Sequence, residues 1–435
     1  MLLGTQKIND KGHLQIGGCD VVDLAAEYGT PLYVMDEEEI IAKCRAYRSA
    51  LANYYGRAHA AYASKAFCTV GMCKLMNEEG MYLDVASAGE LYTAKVAEFP
   101  SERIIFHGNN KSRFELEMAV AENVGFVVCD SFGEIEDLAD IAAKAGKVQG
   151  VMLRVNPGVD PHTHSLIRTG QEDSKFGFNI HIGLAMKAVK AVLSHDSLNL
   201  LGLHCHVGSQ LFEPTPFVQA APIMTEFIRT VTAETGKVIE HLDMGGGLGV
   251  RYVESDNPLS VGEFVKLICD GVKAGVEATG IKMPTLLLEP GRSIVGEAGT
   301  TLYTVGAVKE VPVVEEPGRK YYLSVDGGLS DNPRPSLYDA VYTAEIANKM
   351  NEAADCVYTV SGKHCETDTL IPKTNLQKAE RGDILAVLTT GAYNFAMASN
   401  YNRLPRPAVV FVSWGKSRID VKRQTLEDLV LWDVK

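Results

Sequence analysis

Ile239-Glu-His-Leu-Asp243-Met-Gly-Gly-Gly-Leu-Gly249 reads as a short apolar strand running straight into a glycine turn. Further on, Leu286-Leu-Leu-Glu289-Pro-Gly-Arg292 repeats the pattern, with a carboxylate, a glycine and a cation after the strand. Six more β-type runs precede these two, at 58–63, 82–85, 104–106, 126–129, 151–155 and 200–207, against 239–244 and 286–289 for the quoted pair. The stretches between them are helical in character. Residues 89–98 are rich in Ala, Glu and Leu, and 113–122 and 134–145 carry apolar residues three and four apart. Apolar strands alternating with helices make a parallel sheet. Eight such units in about 250 residues predict a closed (β/α)8 barrel, with an open doubly wound sheet as the competing arrangement.

After residue 295 the rhythm changes. Runs at 301–311, 321–325, 356–361, 383–388 and 408–414 are β-rich with little helix between them, and 13–16 and 32–35 near the start are of the same kind. The expected class is therefore α/β plus β: a barrel over 36–290, and a mostly antiparallel β-sandwich or barrel-like domain from 1–35 plus 291–435. A chain of 435 residues is long enough for two cores.

Composition narrows the partners. A net charge of -13 argues against a nucleic-acid partner, which would want a basic face, while leaving room for a local cationic pocket. The longest apolar runs, such as 286–288 and 409–412, are strand-sized, so no membrane association is expected. The N-terminus lacks the basic-then-apolar pattern of an export signal. Nine cysteines without a Cys-x-x-Cys pair suit reduced thiols and a cytoplasmic location.

In such barrels chemistry sits at the carboxyl ends of the strands, and phosphate sites commonly use the loops after strands seven and eight. Here those loops are Gly245-Gly246-Gly247 and Glu289-Pro290-Gly291-Arg292. Glycines let backbone N–H groups approach phosphate oxygens, and Arg292 adds a charged donor. The first run ends in Ser64-Lys65. A lone lysine is ordinarily a solvated surface residue, but one in a barrel mouth facing a phosphate site is poised for Schiff-base formation. Lysine, phosphate anchor and the Glu289 carboxylate in one cavity point to pyridoxal 5'-phosphate, with Glu289 keeping the pyridine nitrogen protonated. His204-Cys205-His206 on one strand would aim both imidazoles to one face, a possible zinc pair. Only Asp243 and Glu289 offer further ligands, so no metal is expected; His206 packed on the cofactor ring, with His204 inward, is the better use. His162 and His164 read as ordinary loop histidines. The glycine cluster does not complete G-x-G-x-x-G, because Val250 and Tyr252 stand where glycine is needed, so a dinucleotide site is weakly supported.

Together these motifs resemble the diaminopimelate decarboxylases, pyridoxal-phosphate enzymes with an alanine-racemase-like barrel and a C-terminal β domain. The matching stretches are Tyr62-Ala-Ser-Lys65-Ala, Gly108-Asn-Asn-Lys111, Ser174-Lys-Phe-Gly177, Gly202-Leu-His-Cys-His-Val-Gly-Ser209-Gln, Gly245-Gly-Gly-Leu-Gly249, Glu289-Pro-Gly-Arg292, Arg334-Pro-Ser-Leu-Tyr338, Cys365-Glu366-x-Asp368 and Gly391-Ala-Tyr393. The resemblance implies that Lys65 bonds the cofactor and His206 stacks on its ring. It implies that Ser209, Gly245, Gly246, Gly247 and Arg292 hold the phosphate, that Pro290 and Gly291 also bind the cofactor, and that Tyr393 lies beside cofactor and substrate. Arg292, Arg334, Tyr338, Glu366 and Tyr393 would meet the amino-acid substrate. Cys365 would protonate the carbanion left by carbon dioxide. It implies too a homodimer in which Cys365 and Glu366 enter the partner's site, and the last step of lysine biosynthesis, meso-2,6-diaminopimelate to L-lysine.

Ser361-Gly-Lys-His364 before Cys365, Thr367, Thr369-Leu370 and Ser336 depart from the family's commoner residues, and bear on substrate choice rather than cofactor. Related decarboxylases of carboxynorspermidine, ornithine or arginine, or a racemase, are the alternative enzymes; a non-catalytic pyridoxal-phosphate carrier is the remote one, since such proteins typically are a single barrel without a β domain and lack the Cys-Glu pair.

Overall fold

Along Phe126–Cys129 and Thr285–Leu288 every residue is buried, with no alternation of polar and apolar positions. Strands covered on both faces belong to a parallel sheet, and that is what forms. The computed structural model describes residues 2–159, 175–313 and 318–434. His162, His164 and Ser174 lie outside the described residues.

Eight strands build the barrel: β1 (Ala58–Ala63), β2 (Tyr82–Val85), β3 (Ile104–Phe106), β4 (Phe126–Cys129), β5 (Gln149–Asn156), β6 (Leu198–His204), β7 (His241–Asp243) and β8 (Thr285–Leu288). Each pairs in parallel with the next, and β8 pairs with β1, with Leu286 opposite Ala58. That last pairing closes the sheet and excludes the open arrangement.

Helices between strands start on serine caps. Ser87, Ser112 and Ser131 each accept a hydrogen bond from the N–H three residues on, opening Ala88–Val96, Arg113–Ala121 and Phe132–Lys144. Each such cap stabilises its helix by roughly 1 kcal/mol. Phe132–Lys144 buries Ile135, Leu138, Ala139 and Ala142, the one-sided stripe a barrel helix needs.

Two strands are shorter than the sequence predicts. β6 stops at His204, which pairs in register with Arg154 and Asp243, and β7 stops at Asp243. Cys205 N donates once more to Asp243 O, after which the chain turns through Gly208 at φ 153. His204 and His206 are therefore not two positions of one strand. His204 ends the strand and His206 sits in the loop.

The chain forms two compact units, one of Lys43–Gly249 with Pro258–Ser293, the other of Met1–Ala42, Val250–Asn257 and Ile294–Lys435. The second is a mostly antiparallel sheet in the order Thr369–Leu376, Cys356–Ser361, Gly318–Val325, Gly299–Val313, Leu32–Asp36, Ala408–Ser413, Lys416–Val421, with Ala344–Ile346 and Ile384–Leu388 branching from it. One of its cores gathers Tyr303, Leu323, Val360 and Leu385, another Leu14, Leu32, Leu302 and Val410. Among the described residues no helix is long and apolar enough to cross a membrane, and all nine cysteines are free.

Candidate active site

The barrel places polar groups at the carboxyl ends of its strands. Directly after β1 a single 3-10 turn, Ser64–Ala66, carries Lys65. Its side chain is 48% exposed, and its Nζ lies 3.4 Å from Oδ2 of the buried Asp84 at the end of β2. An amine held by a carboxylate yet open to solvent can be reached by a soluble aldehyde.

After β8, Glu289 is buried and met from two sides. His107 Nε2 lies 2.5 Å from Oε1, and His204 Nε2 lies 3.1 Å from Oε2. Burial alone would push the Glu289 carboxyl up, but His107 and His204 outweigh it and hold it well below the usual carboxylate range. Burial pushes the His204 imidazole down to about 3, so it is neutral. Burial and the Glu289 charge hold the Asp243 carboxyl well above its usual range. The centre of the mouth thus favours the ionised form of Glu289 and the protonated form of its neighbour Asp243. The donor atoms of His107, His204, Asp243 and Glu289 lie within 4.8 Å of one another, closer than their sequence spacing suggests. Both Nε2 atoms are turned to Glu289, and Asp243 Oδ1 accepts from Gly245 N at 2.8 Å, so hydrogen bonds already link these groups to one another and to the glycine turn.

The glycine turn needs its glycines. Gly245 has φ 68 and Gly247 φ 130, conformations that side chains resist. A Cβ on Gly246 would stand 2.0 Å from the backbone oxygen of Glu289, so the turn after β7 lies flat against the one after β8. Beside it Arg292 Nη2 is 3.2 Å from Ser209 Oγ. A glycine turn, a hydroxyl and a guanidinium lie together there, the kinds of group from which phosphate sites are built. Partly buried His206 follows β6. Burial, then the cations Lys65 and Arg154, push its imidazole well below the usual range, leaving an uncharged ring suited to packing on a flat aromatic.

The barrel unit therefore brings together Lys65, His206, Ser209, Gly245, Gly246, Gly247, Glu289, Pro290, Gly291 and Arg292. The other predicted residues belong to the β unit. There the Arg334 guanidinium lies 5.1 Å from the ring of Tyr338 and 5.5 Å from that of Tyr393. Cys365 is exposed, and Glu366 Oε1 accepts from Tyr401 Oη at 2.5 Å. Sequence reading assigned no role to Asp84, His107 or Arg154. Asp84 could have been found as the one charged residue in the buried run Tyr82-Leu-Asp-Val85. Arg154, within β5 and 4.3 Å from the Phe176 ring, could have been found the same way.

The residues fit pyridoxal phosphate: an accessible amine, a phosphate cradle closed to any side chain at Gly246, and an ionised buried carboxylate. Residues 37–296 match the family model described as pyridoxal-dependent decarboxylase, pyridoxal binding domain. The chain is 49% identical over 434 residues to a diaminopimelate decarboxylase of Bacillus subtilis (strain 168), covering 100% of this chain and 98% of that protein. It is 45% identical to the one of Staphylococcus aureus (strain COL), covering 99% and 100%. A crystal structure of diaminopimelate decarboxylase from M. jannaschii in co-complex with L-lysine superposes with a TM-score of 0.91 at 34% identity, covering 100% of this chain and 99% of that one. On likeness that spans its whole length, with a barrel mouth that fits the cofactor, this chain belongs to the diaminopimelate decarboxylases, within the pyridoxal-dependent decarboxylases.

Proposed function

We propose that this chain is a pyridoxal-phosphate-dependent carboxy-lyase that converts meso-2,6-diaminopimelate to L-lysine and carbon dioxide. The observation that carries the reading is 49% identity over the full length to a diaminopimelate decarboxylase, in a chain whose Lys65, glycine turn and Glu289 share one barrel mouth.

Bound there, the cofactor supplies an aldehyde that captures amines and a ring that accepts the electron pair released when Cα loses its carboxylate. Lys65 supplies the amine that holds it. Ser209, Gly245, Gly246, Gly247, Pro290, Gly291 and Arg292 bind its phosphate end, and His206 covers one ring face. Glu289 accepts a hydrogen bond from the pyridine nitrogen. Arg292, Arg334, Tyr338, Glu366 and Tyr393 orient a substrate with amino and carboxylate groups at both ends, for which guanidinium forks and carboxylates are the natural partners. Cys365 Sγ delivers the proton that replaces the lost carboxylate on Cα.

Two copies assemble so that Cys365 and Glu366 of each serve the barrel of the other. We place the enzyme in the cytoplasm, where nine free thiols stay reduced.

Release of labelled carbon dioxide from meso-2,6-diaminopimelate, compared with ornithine, arginine and carboxynorspermidine, tests the substrate. A tail that is purely cationic offers nothing to the arginines and is expected to be turned over poorly. Mixing inactive Lys65→Ala and Cys365→Ser chains tests the dimer: shared sites restore part of the activity, self-contained ones restore none.

A further inference from the structure

Three barrel strands end in side chains directed at one carboxylate. His107 follows β3, His204 ends β6 and Asp243 ends β7, and His107 is 182 positions from Glu289 in sequence. A structural role alone would need Glu289 paired, and one partner could do that. The fold instead holds both carboxylate oxygens, Oε1 by His107 and Oε2 by His204.

It does so at a cost. An ionised carboxylate only accepts, so both imidazoles turn Nε2–H toward it. With Nε2 so used, His204 Nδ1 is buried without a hydrogen-bond partner among the described residues. An unsatisfied buried nitrogen is destabilising and calls for a reason in the structure around it. Asp243 ties the same group to the phosphate turn through Gly245 N.

We infer that His107 and His204 are positioning residues that clamp Glu289, fixing its carboxylate for the pyridine nitrogen of the cofactor while Asp243 keeps that carboxylate in step with the glycine turn. The inference rests on the reading of Glu289 as that nitrogen's partner. The clamp removes the carboxylate's freedom to rotate. It lets the hydrogen bond to the ring strengthen, without rearrangement, as electron density arrives.

The test uses holoenzyme loaded with cofactor carrying 15N at the ring nitrogen. In the wild type the 15N shift is expected at the protonated position. In His107→Leu it moves toward the unprotonated position, and kcat falls on the order of 10- to 100-fold, as when a supporting hydrogen bond to a reactive group is lost. KM changes less than about threefold, because substrate contacts are untouched. His107→Gln, which keeps a donor, recovers part of both. His204→Asn gives the second reading of the same quantities if His107→Leu fails to fold or load. An unchanged 15N shift in the loaded variants overturns the clamp, leaving His107 and His204 as packing residues. A stoichiometric divalent cation in wild-type holoenzyme, whose removal by chelator reproduces the loss, overturns it as well. A wild type that takes up no cofactor overturns the proposed function itself, a result distinct from either.

Discussion

Lys65 Nζ stands 3.4 Å from Oδ2 of Asp84, an ion pair that joins the ends of two adjacent barrel strands. The carboxylate is buried and fixed, the lysine half exposed and four methylenes long, so Asp84 sets where the amine waits. Lys65→Arg keeps the charge beside Asp84 but cannot condense with an aldehyde. We expect a folded protein with an unchanged thermal melting point, no visible absorbance from bound cofactor, and carbon dioxide release lowered at least about a thousandfold. Spectrum, melting curve and radiometric assay on one preparation decide it.

Gly246→Ala is expected to damage cofactor binding more than its size suggests. The added methyl would meet Glu289 backbone oxygen at 2.0 Å and carbon at 2.8 Å, and neither can move without shifting the turn after β8. Overpacking of this kind destabilises by about 1–3 kcal/mol. The displaced turn also carries Arg292, so the apparent Kd for pyridoxal phosphate should rise along with the loss of stability. Arg292→Gln separates the two effects: it should weaken cofactor binding and leave the melting point of the cofactor-free chain near wild type. Fluorescence titration and calorimetry measure both.

How much of this was legible depended on whether neighbours in space are neighbours in sequence. The strand runs at 58–63, 82–85, 104–106 and 126–129 match β1 to β4, because buried parallel strands are continuous apolar runs bounded by polar residues. Glycines and arginine at strand ends were equally plain. The grouping of His107 with Glu289 was not, since barrel closure brings them together and spacing along the chain carries no trace of it. In the β unit Thr369–Leu376 escaped because Pro372 interrupts it, and the strand tolerates proline as an edge that, among the described residues, pairs only with Cys356–Ser361. Lys416–Val421 is polar and largely exposed, and Ala344–Ile346 is three residues long, so neither shows the alternation on which a strand is recognised.

Tyr401 is a residue to which sequence reading gave no role. Its hydroxyl donates to Glu366 Oε1 at 2.5 Å, and its ring stacks on His364, with centroids 5.6 Å apart and planes at 21°. His364 is buried and pairs through Nδ1 with Asp368 Oδ2 at 2.5 Å. The unusual histidine before Cys365 thus builds the floor on which Tyr401 holds Glu366. Tyr401→Phe keeps the stack and removes the donor. We expect KM for diaminopimelate to rise about three- to tenfold, as for loss of one hydrogen bond to a charged group in water, with kcat and the cofactor spectrum little changed. Steady-state kinetics over a range of substrate concentration reads the split.

Asp331 gives a pH dependence with a definite sign. It is 2% exposed. Tyr303 Oη donates to its Oδ1 and Gly328 N to its Oδ2, bracing the loop that leads to Arg334. Burial pushes its carboxyl up to about 7, while Tyr303 and Gly328 pull it back. In the unfolded chain it titrates near 3.8. Between about pH 4 and pH 7 the folded state therefore holds a proton that the unfolded state has released. The stabilisation is fully present below about pH 4 and is lost as pH rises through about 7, with a slope of at most about 1.4 kcal/mol per pH unit. Asp331→Asn cannot ionise, and its amide has a single oxygen, so it can accept from only one of Tyr303 Oη and Gly328 N. The variant should be clearly less stable than wild type at pH 5 and approach or pass it at pH 8. Subtracting the two unfolding curves at each pH cancels every group they share. A difference that is flat from pH 5 to pH 8, or that grows with pH, would show that Asp331 stays ionised throughout and braces the loop as a charge.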